Sequence, residues 1–175
     1  MIKSLIAGLM LCLAPLSVSS TDFESDLHWQ IVGKVKTIMR LLNDKIGYQI
    51  QTRPAVLLVS QQELNYIYQR SELGFDEDFE PIETNLIALY LPNLILINED
   101  TDVNDPGLDV TLTHELVHHQ QFQNSRPVYA ATACKELEAY RIQGAFAREQ
   151  GLPEYMPNPF FMMMLARQCQ IENGS

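Results

Sequence analysis

At 175 residues with 12 basic against 22 acidic side chains, the chain carries a formal net charge of −10. That balance repels phosphate backbones and argues against nucleic acid as a partner, while neutral or basic peptides meet no such barrier. The length supports one domain with an adequate core, and no repeat, linker or low-complexity run divides it.

Residues 1–20 are expected to be a secretory signal peptide. Lys3 supplies a positive charge, Leu5 to Leu16 an apolar run, and Ser17 to Ser20 small residues for cleavage. The run is too short to span a bilayer comfortably, and Met10-Leu11 before Cys12 does not make a lipidation motif. The expected mature domain, residues 21–175, is then periplasmic or secreted and has no stable membrane insertion. It keeps 11 basic and 22 acidic residues, a net charge of −11. It also keeps two cysteines, Cys134 and Cys169, which an oxidising compartment would join in a disulfide. Closing that loop would add roughly 3–4 kcal/mol. A Cys-Cys-His zinc site is the other option for these thiols, but they lack the paired spacing it needs.

The first predicted helix covers Phe23 to Ile46. Leu27, Ile31, Val35, Ile38, Leu41 and Leu42 recur at helical spacing, and Gly47 ends it. His28, near its start, reads as a surface or capping residue. Pro54 to Val59 predicts a strand. Ser60 and Glu63 form a capping box for a helix to about Arg70. Ser71 to Thr84 is acidic and irregular. It lacks the ligand spacing of a calcium loop and reads as solvated. Asn85 to Leu91 and Asn93 to Asn98 predict two strands of a hairpin around Pro92. A second acidic loop, Glu99 to Asp109, leads to the next helix.

That helix, Val110 to Asn124, contains no Gly or Pro. Asp105-Pro106 or Asp109 can cap its start, and Asn124 to Pro127 stops it. It carries His114-Glu115-Leu116-Val117-His118, which reads H-E-x-x-H. Residues four apart share a helix face, so His114 and His118 can aim two imidazoles at one metal ion. Glu115, turned about 100° away, can stand beside that metal as a base without filling a ligand position. Catalytic zinc wants this arrangement plus a third protein ligand. Thr111, Glu115, His118, Gln121 and Phe122 fall on or near the motif face, with Leu112 and Leu116 behind.

Cys134 to Glu149 predicts another helix. Glu136 is centred on its apolar side, with Tyr140, Gln143, Ala139 and Phe146. Arg141, Arg148, Glu149 and Glu138 share the opposite side, which reads as solvated. A carboxylate on an apolar stripe needs a partner or a metal. Glu136 therefore leads as the third ligand, with Glu138 the alternative. In the tail, Phe160 to Leu165 reads as core, since Met is a common gap-filler; a hydrophobic specificity pocket is the other reading.

The segments HELVHHQQ and KELEAYRIQ, roughly twenty residues apart, resemble the gluzincin group of zinc metallopeptidases, and most of all its small secreted bacterial zincin-like forms. In that group the third ligand is a Glu on a second helix, often followed by Ala three residues later and an acidic residue four later. Glu136 and Ala139 match; Tyr140 stands where the acidic residue is usual, which leaves the partner of a ligand histidine to be found. The resemblance covers about forty residues. It implies an α+β zincin-like domain, with a short, mostly antiparallel sheet packed against the H-E-x-x-H helix and the Glu-bearing helix that follows. It also implies Zn2+ held by His114, His118 and Glu136, with Glu115 as catalytic base in peptide-bond hydrolysis. An edge strand would pair with extended substrate: Asn93 to Asn98 or its hairpin partner. For the oxyanion, Tyr129, Tyr140, Tyr155 and His119 are candidates, His119 reading rather as a structural hydrogen bonder. The competing class is a zinc-stabilised binding module without turnover, because fold alone does not imply function.

Overall fold

The computed structural model describes residues 26–44, 50–72, 84–124, 132–152 and 157–172. The expected signal peptide, most of the first acidic loop, and two of the oxyanion candidates (Tyr129 and Tyr155) lie outside them. In chain order the elements are α1 (Asp26–Asn43), β1 (Ala55–Val59), α2 (Gln61–Glu72), β2 (Ala88–Leu91), β3 (Leu94–Asn98), α3 (Pro106–Gln123), α4 (Thr132–Gln150) and α5 (Pro159–Glu172). The described chain is thus α+β, five helices with a three-stranded sheet.

The sheet is mixed, which corrects the expectation of a mostly antiparallel one. Its order is β1-β3-β2. β3 runs antiparallel to β2 but parallel to β1, pairing Ala55 with Leu94 through Val59 with Asn98. The hairpin turn explains the reversal: Pro92 and Asn93 sit at its centre, and Asn93 takes φ 65°, which fits a type II turn. The physical reason for the order lies in β3 itself. Leu94-Ile95-Leu96-Ile97 is a continuous apolar run, the pattern of a strand buried on both faces. Ile95 and Ile97 turn to one face and Leu96 to the other, all nearly inaccessible. β3 is therefore central and cannot receive a peptide strand; β2, beside α3, is the edge on that side among the described strands.

The core follows from this layering. Ile31, Val35, Ile38 and Leu42 of α1, at spacings of four, three and four, pack with Ile95 and Ile97 and with Leu108, Leu112 and Leu116 of α3. Each such aliphatic burial contributes about 1.5–3 kcal/mol. On the other face, Leu64 of α2 closes over Val59, Leu89 and Leu96. The capping box holds α2 as expected: the Ser60 N–H donates to Glu63 Oε2 at 2.9 Å, and the Glu63 N–H donates to Ser60 Oγ at 3.3 Å. α3 begins four residues earlier than the pattern indicates. Pro106 takes its first turn and Asp105 caps it, accepting from the Gly107 N–H at 2.8 Å.

α4 packs along α3, and α5 packs on α4. Cys134 and Cys169 are bonded, tying α4 to α5 across 35 residues. The reading of Phe160 to Leu165 as core is corrected: no residue of α5 is buried. Phe160, Met163 and Met164 are each more than half exposed. Among the described elements, α5 packs chiefly on α4.

A candidate metal centre between two helices

The H-E-x-x-H motif sits mid-helix in α3, with Leu112 and Leu116 anchoring the reverse side in the core. The front is not open to solvent, as an amphipathic reading would have it. Glu115 and Gln121 are buried too, Glu115 against the Tyr90 backbone of β2 and Gln121 against Lys135 and Glu138 of α4.

His114 and His118 bring their Nε2 atoms to 3.1 Å from each other. Glu136, one turn into α4, places Oε2 at 3.3 Å from His114 Nε2 and Oε1 at 3.1 Å from His118 Nε2. These three are the group among the described residues able to hold a metal ion. Glu138, the alternative ligand, is not in it. Its carboxylate accepts from the Gln121 amide at 3.0 Å, so it does not belong to a solvated face either. The three ligand side chains keep 12%, 16% and 30% exposure, which leaves a route for a further ligand. His28 lies elsewhere, edge-on to Trp29.

The spacing can be compared with what zinc needs. Ligand atoms about 2.0–2.1 Å from a tetrahedral zinc stand about 3.3–3.4 Å from one another. The observed separations are 3.1 Å between the two Nε2 atoms and 3.1–3.3 Å from each Nε2 to its nearer Glu136 oxygen, Oε1 for His118 and Oε2 for His114. The chemistry of the donors points the same way. His114 Nδ1 lies 2.9 Å from Gln143 Oε1, and His118 Nδ1 lies 3.0 Å from Gln121 Oε1. With each Nδ1 donating to an amide oxygen, the neutral form of each ring has its lone pair on Nε2. In that form two lone pairs and a carboxylate face one another, an arrangement able to hold a cation. The residues fit zinc.

The titration of the group reflects the same arrangement. Burial alone would lower the His118 pKa, but the hydrogen bond and charge of Glu136 outweigh it and push the value up to about 9. Burial would raise the Glu136 carboxyl, yet hydrogen bonds from both imidazoles hold it well below the usual carboxylate range. A proton on His118 thus supplies the positive charge. Glu115 is 8% exposed, and burial raises its pKa against the opposing charges of His114 and His118. The Tyr90 backbone N–H donates to its carboxylate, so the motif Glu touches edge strand β2.

The aromatic candidates separate. His119 is fully buried, with Nε2 at 2.7 Å from the Thr52 carbonyl and Nδ1 at 3.2 Å from the Tyr90 hydroxyl. The Tyr90 hydroxyl also accepts from the Asn93 N–H at 3.0 Å. His119 is therefore structural, fastening β2 and the approach to β1 onto α3; burial lowers its pKa. Tyr140 lies at the site, its ring centroid 4.5 Å from that of His114, with Phe161 of α5 at 6.0 Å on its far side. Burial, then the charges of Glu136 and Glu115, push its hydroxyl up to about 12.

The sequence reading missed Gln121 and Gln143 as partners of the ligands. Their signal was present: Gln121 falls on the motif face of one helix, and Gln143 shares the Glu136 side of the other.

No curated protein and no solved structure matches this chain. Residues 30–173, nearly the whole described chain, match the family described as a domain of unknown function, DUF6647. The chain belongs to that family.

Proposed function

We propose that this protein is an exported zinc-dependent metallopeptidase on a zincin-like fold. The observation that carries the reading is the convergence of His114 Nε2, His118 Nε2 and the Glu136 carboxylate, whose two oxygens each meet one imidazole, within 3.3 Å. His114, His118 and Glu136 would hold the ion. Zinc, when bound, supplies a Lewis acid that acidifies water and polarises a carbonyl. Glu115 takes the proton of the attacking water and returns it to the leaving amine. Its buried setting, which raises its pKa, suits a group that both takes and returns a proton. Extended substrate would lie along β2, the edge strand whose Tyr90 N–H already turns to Glu115. Tyr140, with its proton held firmly and its ring against His114, is the candidate among the described residues for steadying an oxyanion.

Purified protein should contain about one zinc per chain, as three protein ligands and an open position imply. It should cleave a proteome-derived peptide library, stop when a chelator removes the metal, and resume when zinc is restored. Metal-free protein as isolated, with no zinc uptake on titration, refutes the reading.

A pH dependence follows. His118 holds its proton up to about pH 9, whereas a metal ligand must be neutral. Glu136 is already ionised and releases nothing. Zinc uptake at pH 7 should expel about one proton, read from calorimetry in buffers of different ionisation enthalpy. Apparent affinity should climb by up to ~tenfold per pH unit and flatten near the His118 pKa. Uptake that leaves the buffer unchanged contradicts a protonated His118.

One observation favours a second reading, a zinc-stabilised binding module without turnover. Glu115 is buried and bonded to the β2 backbone, a position that a purely structural residue could also occupy.

A further inference from the structure

Both ligand imidazoles need their outer nitrogen fixed, because ring orientation and tautomer decide whether Nε2 offers a lone pair. The resemblance leads one to expect an acidic residue at position 140 for this task. Tyr140 stands there instead, set against the His114 ring. Two buried amides occupy the outer positions. Gln143, 7% exposed, receives His114 Nδ1–H at 2.9 Å. Gln121, 2% exposed, receives His118 Nδ1–H at 3.0 Å. The direction of the Gln121 amide is set by what surrounds its nitrogen, which donates to the Lys135 carbonyl at 3.1 Å and to Glu138 Oε2 at 3.0 Å. Only acceptors face the nitrogen, so only the oxygen can face His118.

We propose that Gln121 and Gln143 are positioning residues of the metal centre, locking both histidines as Nε2 donors, and that Glu138 acts on His118 through the Gln121 amide. The proposal rests on the metal reading above. It makes the two ligands unequal. Carboxylates behind a ligand histidine raise its basicity. His114 has the Gln143 amide behind it, while His118 has an amide that itself leans on the Glu138 charge. The relay Glu138 to Gln121 to His118 also joins α4 to α3 from the side opposite Glu136, so a single helix pair sets both the ligand and its orienter.

The test is zinc affinity of the full chain, measured by competition with a chelator of known strength, with the visible bands of the Co2+-loaded protein as a report on geometry. Gln143→Met should weaken zinc about 10- to 100-fold, the usual effect of losing such a partner. Gln143→Glu keeps an acceptor for His114 Nδ1–H and should hold zinc at least as well as the parent. Gln121→Glu sets its carboxylate against Glu138 and should bind poorly. Gln121→Glu combined with Glu138→Gln restores a donor-acceptor pair between positions 121 and 138, though not the bond to the Lys135 carbonyl, and should recover part of the loss. Glu138→Gln alone leaves both buried amides in place and does not threaten the fold; it should weaken zinc by on the order of threefold and shift the Co2+ bands.

Equal losses in Gln143→Met and Gln143→Glu overturn the role of Gln143. A double variant no better than Gln121→Glu overturns the relay, as does unchanged affinity and spectrum in Glu138→Gln. Parent protein that takes up no zinc overturns this proposal together with the metal reading. Parent protein that binds zinc but cleaves nothing defeats only the peptidase reading and leaves these affinities as the deciding measurement.

Discussion

Glu115→Gln is expected to bind zinc as the parent does and to hydrolyse peptides about 10²–10⁴-fold more slowly, the range for losing one acid–base group. The substitution keeps the shape of the side chain and an oxygen able to accept from the Tyr90 N–H. It touches none of the three ligand atoms. It also removes a buried carboxyl whose charged form burial disfavours, so the metal-free fold should be as stable as before or slightly more so. The measurement pairs zinc stoichiometry with kcat/KM on a peptide found by the library screen. Full hydrolysis in a zinc-replete variant removes Glu115 from the chemistry. If the biological effect persists in that variant while the parent shows no turnover, the binding-module reading is the right one.

Glu136→Gln and Glu138→Gln form the second contrast. Two carboxylates two residues apart on one helix point into different roles here: Glu136 to both Nε2 atoms, Glu138 to the Gln121 amide. Losing Glu136 removes a ligand and the charge that holds the His118 proton. Zinc affinity should fall by more than ~100-fold, beyond what an outer partner contributes, and hydrolysis should disappear with it. The His118 pKa should drop from about 9 because burial is then opposed only by the Glu115 charge and the Gln121 hydrogen bond, a change visible as movement of its ring resonances with pH. Glu138→Gln should keep the metal and most of the activity. The reverse ranking would assign the third ligand to residue 138.

Much of this arrangement was legible in single residues. Helical spacing from Ile31 to Leu42, the Ser60–Glu63 box, the Pro92-Asn93 turn and the Asp105-Pro106 start are local signals, and each marks an element that forms. The placement of Glu136 on an apolar stripe separated it from Glu138, because an unpaired charge there is too costly to leave alone. The sheet was less legible. Alternation cannot tell a central strand from a strand at the edge, and β3 took the centre because a hairpin of unequal apolarity buries its more apolar arm on both faces. The Phe and Met run of α5 misled for a related reason: composition measures how apolar a segment is, and not how many neighbours it meets.

By itself the sequence determined the type of each described element, a pair of imidazoles on one helix face, and a carboxylate on the next helix, because periods of two and 3.6 residues are written in neighbouring side chains. Only the tertiary structure decided that α3 and α4 lie close enough to bring Nε2, Nε2 and carboxylate within 3.3 Å, and that Gln121, Gln143 and Glu138 stand behind them. Those distances depend on how two helices cross, and the crossing is set by side chains far apart in the chain that meet only when the core closes.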